Sequence, residues 1–283
     1  MSRKSIFDIA AMTINMSNET DRITKMAFKE DVVSTYRKYT LVDFVDTRCF
    51  KKWQYRGHFV DLEDMLKSID FTELVVKAKQ QDVDSFMCVI ELVYNCWQLA
   101  MDEIKGDQNS TYWSGNFMHL KDVMDDNLEK YNHKACFDND RVLIIEDKPE
   151  VTAVAEIVEE PLALSVIRYN HRSLQGEIEA KKQILLMLGS ELEPKRKELE
   201  RIDKQLSENI FFMLNNMNIR HNNRSKSDKN YKAVVAKMKK NILEGWYDEL
   251  YQMMLLAILI LDNKTNRECE IKQLKDKING GEN

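Results

Sequence analysis

The side chains best suited to chemistry lie in ten consecutive residues, Asn215 to Arg224, between two long predicted helices. The segment holds five asparagines, one histidine and two arginines. The His221 imidazole can transfer a proton near neutral pH, and the neighbouring Arg220 is a permanent planar cation that can stabilise charge on a phosphoryl group. A metal-free ribonuclease requires these two groups, so the sequence predicts Arg220 and His221 as catalytic residues.

Amide side chains surround this pair. Asparagines compete with the backbone for hydrogen bonds, so the segment is predicted to be a loop between two helices. The amides are predicted to bind substrate or to fix the imidazole tautomer, at positions Asn215, Asn218, Asn222 and Asn223. An open alternative is a connecting loop in which these asparagines only satisfy neighbouring backbone groups.

Positive charge is concentrated from Arg220 to Lys240, where eight basic residues accompany one acid, Asp228, for a local charge of +7. Such a segment can attract a phosphate backbone, so RNA or a nucleotide is the predicted partner. The alternative is a solvated lysine-rich surface. The whole chain has a net charge of −5, which argues against binding of duplex DNA.

A second polar group lies near the end of the preceding predicted helix. Arg168 and His171 are three residues apart and share a helical face, with Asn170 between them. If this helix packs beside the asparagine-rich loop, the two groups form one substrate pocket into which Lys181 could point. The alternative is a surface cluster.

Four further residues are predicted to support the site. Glu91 and Asn95 are four residues apart on a predicted helix, and a buried Glu91 would need a cationic partner such as Arg168 or Arg220; a solvated or domain-bridging face is the alternative. Asp248 and Tyr251 lie on the last long helix and are candidates to orient His221. Trp246 and Leu250 on that helix are predicted core residues.

Other catalytic signatures are missing from the sequence. It has no glycine-rich phosphate loop, no G-x-S-x-G or H-E-x-x-H motif and no paired aspartates at two-metal spacing. The five cysteines are scattered and never spaced as C-x-x-C, which argues against a zinc site and a disulfide framework. We therefore expect no metal and no cofactor, and a reducing, cytoplasmic location.

Composition favours an all-α fold. The chain has 8 glycines and 3 prolines, roughly 4% of its length against about 12% in an average protein, too few for the turns of sandwiches or Rossmann-type sheets. Apolar residues recur at helical spacing from Asp84 to Lys105, and one short β-rich run occurs at Arg141 to Glu146. The longest apolar run, Met253 to Leu261, is nine residues where about 20 would span a bilayer, so no membrane partner is expected.

The chain is predicted to have two parts. An N-terminal helical region covers 1–132, a linker with the short β segment covers 133–150, and a C-terminal helical bundle covers 151–283. The bundle's helices are predicted at Val151 to Gln175, Glu177 to Leu192, Pro194 to Asn216, Asn230 to Asp262 and Arg267 to Ile278. Pro161 is a weak point in the first of these, because an interior proline removes a helical hydrogen bond.

The C-terminal half, from about Val151 to Ile278, resembles the HEPN-type helical domains of bacterial abortive-infection and toxin proteins. The resemblance rests on a helical bundle with Arg220, His221, Asn222 and Asn223 next to the start of a late helix. It implies a phage-defence protein, commonly a homodimer, that binds RNA and in many members cleaves it without metal. The sequence departs from the family's usual R-x(4–6)-H motif: no histidine follows His221, and two residues separate Arg168 from His171.

The leading prediction is therefore a helical defence protein that binds RNA and could cleave it through His221 as acid or base and Arg220 as the phosphate-stabilising cation. The alternative is a non-catalytic helical module that binds a partner protein or senses a nucleotide. The 15 methionines favour that alternative, because flexible apolar side chains suit adaptable interfaces.

Overall fold

A computed structural model describes residues 15–31, 33–34, 37–106, 112–113 and 115–280. Contacts divide the chain into two compact units, Met1–Glu146 and Asp147–Asn283. The predicted linker is divided accordingly: its β segment belongs to the first unit, and the second unit begins at Asp147. Most described residues are helical, as predicted. The polar stretch from Gly106 to Gly115 is predicted from the sequence to be a loop, and most of it lies outside the described residues.

The first unit consists mainly of helices. They are α1 (Met16–Phe28), α2 (Leu41–Arg48), α3 (Leu62–Ser68), α4 (Phe71–Lys79), α5 (Val83–Gly106) and α6 (Gly115–Lys130). The first four each begin after a residue whose side-chain oxygen accepts a backbone N–H, namely Asn15, Thr40, Asp61 and Asp70. Such caps are worth about 1 kcal/mol each, which explains why short helices form at these polar breaks.

Helix α5 is the centre of the first core. Phe86, Val89, Ile90 and Val93 are buried along it, as their helical spacing predicts. Burial also extends to Leu92 and Cys96, which lie off this stripe, so the helix is covered on more than one side.

Two small sheets accompany these helices. Strands β1 (Val33–Ser34), β2 (Lys38–Tyr39) and β3 (Tyr112–Trp113) form a minimal antiparallel sheet in the order β2-β1-β3. Strands β4 (His133–Asp138) and β5 (Arg141–Glu146) form an antiparallel hairpin in which Asp138 pairs with Arg141. The turn contains Asn139 at φ 54°, a left-handed conformation that asparagine tolerates. The predicted β run thus finds its partner in the six residues before the turn.

The regular structure of the second unit is helical over its described residues, 147–280. Its helices are α7 (Pro149–Ile157), α8 (Leu162–Tyr169), α9 (Ile178–Leu192), α10 (Arg196–Ile202), α11 (Lys204–Asn216), α12 (Ala233–Ala236), α13 (Lys240–Asp262) and α14 (Glu268–Gly280). Helix α13 packs against α7, α9 and α11 and buries Leu243, Tyr247, Leu250 and Met254. It is therefore the central helix of this unit.

Three predicted helices of the second unit differ from the structure. The helix predicted from Val151 to Gln175 is two helices, separated by residues 158–161, which include the cis peptide bond between Glu160 and Pro161. The helix predicted from Pro194 is interrupted at Asp203, whose side chain instead caps α11. The helix predicted from Asn230 begins only at Lys240, because the residues before it form an irregular loop and the single turn of α12.

The C-terminal helix continues the central one. Residues Asn263–Arg267 form a π-helical turn that joins α13 to α14 without a break. Every residue from Asn263 to Asn279 is exposed. No helix within the described ranges is both long and apolar enough to cross a membrane.

Candidate functional site

The asparagine-rich loop is held together from inside by Asn223. The Asn223 side chain is fully buried; its Oδ1 accepts a hydrogen bond from Asn218 N at 2.7 Å, and its Nδ2 donates to Asn230 O at 2.7 Å. The backbone N–H of Lys232 donates to Asn223 O at 2.8 Å. Asn223 thus ties both ends of the loop together, so its amide is engaged in the fold rather than presented to a substrate.

Two other loop asparagines have local roles. Asn218 is 8% exposed and lies at φ 63°, and its carbonyl oxygen accepts a hydrogen bond from Tyr247 Oη at 3.4 Å. Asn222 is exposed, and its Oδ1 accepts from Ser225 N at 3.1 Å. Asn215 is half-buried at the end of α11. The predicted amide-lined pocket is replaced by a loop that satisfies its own backbone.

Arg220 binds the C-terminal turn of α9. Its guanidinium forms an ion pair with Glu193 and donates to Gly189 O at 3.4 Å. The same group lies 5.5 Å from the centre of the Phe211 ring. A cation near the last carbonyls of a helix interacts favourably with its dipole, so Arg220 fastens the loop to α9.

His221 is exposed, and its side chain forms no hydrogen bond or ion pair with any described residue. Arg220 is directed at α9, whereas no contact in the described chain orients the imidazole. The structure therefore does not assemble the predicted catalytic pair into one site.

A buried lysine organises the second polar group. Lys181 on α9 lies within 2.8 Å of Glu244 Oε1 and 2.7 Å of Asp248 Oδ1, both on α13. The Tyr169 hydroxyl donates to the same Asp248 oxygen at 3.0 Å, and Gly176 N donates to Glu244 at 2.7 Å. These contacts join α8, α9 and α13. Asp248 was predicted to orient His221, but in the described chain it binds Lys181 and Tyr169 instead.

Tyr251 extends this network. Its ring is parallel to that of Tyr169, with centroids 3.9 Å apart, and its hydroxyl donates to Val166 O at 2.8 Å. Asn170 Nδ2 in turn donates to the Tyr251 hydroxyl at 3.3 Å, while Asn170 Oδ1 accepts from Lys148 at 3.5 Å. Neither Arg220 nor His221 is bonded to this network in the described part of the chain.

Burial controls the ionisation of these groups. Burial, reinforced by Asp248, raises the pKa of Tyr169 far above its usual value, and burial likewise raises the pKa of Tyr251. Burial also raises the pKa of Tyr247, to about 12. For Glu244, burial opposes ionisation, but the hydrogen bonds from Lys181 and Gly176 outweigh it and lower the pKa. The phenols therefore remain protonated donors, and Glu244 remains an anion.

Arg168 and His171 do not form a joint cationic face. Arg168 is exposed at the end of α8. His171 is buried, its Nδ1 lies 2.7 Å from Ser173 Oγ, and it accepts from Ser173 N at 3.2 Å. His171 is thus the cap of the short 3₁₀ helix Arg172–Leu174.

Glu91 and Asn95 act within the first unit, on the outer edge of β5. Asn95 Nδ2 donates to Val142 O at 2.8 Å, and Asn95 Oδ1 accepts from Val142 N at 2.8 Å. Glu91 Oε2 accepts from Ile144 N at 2.7 Å. These two side chains bond the backbone of β5 on the edge that no other described strand pairs with.

An apolar groove of about 810 Å³, which was not predicted from the sequence, lies between α11, α12 and α13. Its walls include Met213, Met217, Met238, Val235 and Met253, and its rim includes Phe212, Val234 and Trp246. Phe212 is 63% exposed, Val234 76% and Trp246 47%. The prediction that Trp246 is a core residue is wrong, because only Leu250 of that pair faces the interior.

The signal for this groove was present in the sequence. Phe212 follows buried Phe211 directly, and Trp246 precedes buried Tyr247, so each aromatic side chain lies off the buried face of its helix. A large apolar side chain that lies outside the helical face packed on the core is a candidate for contact with another molecule.

The basic segment lies beside the groove, since Lys232 lines it. The residues of this segment that are exposed and form no ion pair within the described chain are Lys226, Lys229, Lys232, Lys237, Lys239 and Lys240. Arg224 is also exposed and donates to Met238 O at 3.3 Å.

Comparison of the chain with protein-family models, with curated proteins and with solved structures gives no match. Among the described residues, no three His, Cys, Asp or Glu side chains cluster as a metal site would.

Proposed function

We propose that this chain is a non-catalytic binding protein whose second unit accepts an apolar helical segment of a partner in the groove between α11, α12 and α13. The observation that carries the proposal is the groove itself, about 810 Å³ in volume, with Phe212, Val234 and Trp246 exposed at its rim. An accessible cavity of this size with mostly apolar walls is typical of a binding site.

The shape and lining of the groove suit a helix. Two helices and one helical turn enclose it, as in the helix-in-groove mode of peptide recognition. Its four methionines can repack around different apolar side chains, and its aromatic rim residues are of the type that dominates binding energy. Lys232 and Glu249 provide one charge of each sign for orientation.

Binding without catalysis is favoured by the contacts of the predicted catalytic pair. The Glu193 carboxylate already neutralises Arg220, which lowers its capacity to stabilise a phosphoryl group. His221 lacks a side chain that would fix its tautomer among the described residues. Both features support the alternative that sequence analysis left open.

The proposal can be tested with a fluorescein-labelled model peptide of about 14 residues, built from Leu, Lys and Glu with leucines at helical spacing. Fluorescence anisotropy would compare the wild type with Phe212→Asp in the groove and with Leu256→Asp. Leu256 is 49% exposed on α13 but does not line the groove, so it is the matched control.

Phe212→Asp should weaken peptide binding about tenfold or more, because it places a charge in an apolar contact, whereas Leu256→Asp should bind as the wild type does. Equal binding by all three proteins, or no binding by the wild type, would contradict the proposal.

A second candidate function is binding of single-stranded RNA, as in a HEPN-like defence protein. It is favoured by the six exposed, unpaired lysines of the basic segment next to the aromatic rim, because cations and exposed rings together suit single strands. Replacing Lys237 and Lys239 by glutamate should weaken RNA binding and reduce its salt dependence, whereas the same change at Lys197 and Lys204, exposed elsewhere in the unit, should not.

Cleavage is tested separately. Purified protein would be incubated with RNA in EDTA, with His221→Ala for comparison. A nuclease that uses His221 would lose on the order of 10² to 10⁴ in rate. Equal cleavage by both proteins, or none by either, would remove the enzymatic version and leave RNA binding to be judged from the lysine variants.

A further inference from the structure

Helix α14 carries an apolar stripe that is largely exposed on the surface of its unit. Ile271, Leu274 and Ile278 are spaced at i, i+3 and i+7, which places them on one face, and they are 51%, 56% and 67% exposed. All residues from Asn263 to Asn279 are exposed, so the helix projects from the bundle. Burial of its stripe would stabilise this helix, because most helical stability in proteins comes from packing of an apolar face.

The stripe cannot reach the groove of its own chain. Met253 is the last groove residue on α13, and the helix continues from there through the π-helical turn to α14. Ile271 lies 18 residues further on, since 271 − 253 = 18, which corresponds to about 27 Å along the helix axis. The apolar stripe and the apolar groove can therefore meet only between two molecules.

We propose that α14 of one copy of this chain docks in the groove of a second copy, so that two copies exchange their C-terminal helices. This inference rests on the proposed function of the groove and names its occupant. Each copy offers one stripe and one groove, so a two-fold symmetric arrangement fills both grooves and gives a closed dimer with two identical contacts.

Charge on the two surfaces is complementary in one orientation. Glu270 and Lys277 flank the same side of the stripe, seven residues or about 10 Å apart, and neither forms an ion pair within the described chain. The groove is lined by Lys232 and Glu249, which are exposed and form no ion pair within the described chain. Docking places Glu270 near Lys232 and Lys277 near Glu249.

A pairing of two α14 stripes with each other is the competing arrangement. It is less favoured for two reasons. Helix α14 has 13 residues, fewer than two heptads, whereas a coiled coil needs about three to four. Pairing of the stripes would also leave the groove empty.

Sedimentation equilibrium of the full chain tests the proposal. The wild type should dimerise, and Leu274→Asp in the stripe and Phe212→Asp in the groove should each weaken dimerisation at least about tenfold. Gln273→Asp adds the same charge to the opposite side of α14 and should leave the dimer intact. Circular dichroism and the urea midpoint of each variant identify any loss of folding.

Mixing the two disruptive variants provides the decisive result. The Leu274→Asp copy retains an intact groove and the Phe212→Asp copy an intact stripe, so the mixture should form a heterodimer with one of the two contacts, more stable than either self-association. In addition, Glu270→Lys should weaken dimerisation, and Lys232→Glu in the same chain should restore it.

Three outcomes would overturn the exchange. If Phe212→Asp remains dimeric while Leu274→Asp does not, the stripes pair with each other. If the mixture gains nothing over the single variants, the stripe does not enter the groove. If the wild type is monomeric at every concentration yet binds the model peptide, this inference fails and the proposed function stands; if it also fails to bind the peptide, both fail.

Discussion

Lys181 Nζ lies 2.7 Å from Asp248 Oδ1, and this ion pair connects α9 to α13. Only 7% of the lysine side chain is exposed, whereas half of the Asp248 side chain is. The lysine also lies 5.2 Å from the centre of the Tyr169 ring, so its charge is satisfied on several sides. Residues that could have served catalysis are used here to fix the packing of three helices.

Removing this charge should destabilise the second unit. Lys181→Met keeps most of the side-chain volume but leaves the carboxylates of Glu244 and Asp248 without their cation. We therefore expect the free energy of unfolding to fall by about 2 kcal/mol. Lys182→Met, at a neighbouring position with a looser ion pair of 3.6 Å, should cost about 0.5 kcal/mol or less. Urea denaturation measures both; equal costs would contradict the assigned role.

The stabilisation from Glu244 should depend on pH. Lys181 and Gly176 lower the pKa of Glu244 in the folded state, so its contribution is complete above the unfolded value of about 4.3 and is lost as the pH falls through the folded pKa. Glu244→Gln should therefore cost more stability at pH 7 than at pH 3. Glu249→Gln, an exposed change on the same helix, is the control, and a cost for Glu244→Gln that does not vary with pH would argue against the ion pair.

The asparagine-rich loop should depend on Arg220 and not on His221. Arg220→Gln removes the ion pair with Glu193 and the contact with Phe211, and should cost about 1 kcal/mol, because the pair is partly exposed. His221→Ala should change the free energy of unfolding by no more than about 0.5 kcal/mol. Thermal unfolding of both variants measures these costs. A larger effect of His221→Ala would contradict the finding that the His221 side chain has no bonded partner among the described residues.

The stability of the first unit should depend on the hydrogen bonds between Asn95 and strand β5. Asn95→Leu leaves the N–H and C=O of Val142 unpaired in a buried position, so we expect a cost of about 2 to 3 kcal/mol. Gln98→Leu, one turn further on the same helix, removes only a bond to Asp102 on the surface and should cost about 0.5 kcal/mol or less. Chemical denaturation measures the difference, and hydrogen exchange at Val142 N should accelerate only in the first variant.

Two helical glycines should respond in opposite directions. A Cβ at Gly189 would lie 3.1 Å and 3.2 Å from the Leu214 methyl groups, so Gly189→Val should destabilise the unit by about 1 to 3 kcal/mol. A Cβ at Gly245 would meet nothing within 4 Å, so Gly245→Ala should stabilise α13 by about 0.5 to 1 kcal/mol. Melting temperatures decide this, and a stabilising Gly189→Val would contradict the close packing of α9 on α11.

Local patterns in the sequence were enough to define the elements. The apolar spacing of α5 and α13 and the β-rich run at Arg141 to Glu146 depend only on neighbours in the chain, and each predicted the right type of element. The scarcity of glycine and proline predicted the mostly helical fold.

The tertiary structure alone decided what those residues do. A side chain becomes catalytic, structural or adhesive according to its partners, and these come from distant positions: Glu193 for Arg220, Val142 for Asn95 and Ser173 for His171 among them. The groove at Phe212 and Trp246 likewise exists only where three helical segments meet. Helical periodicity shows which face of a helix is apolar, but not whether the core alone or also a second surface will cover it. For this reason the sequence predicted a binding site at the asparagine-rich loop, whereas the folded unit presents an apolar groove.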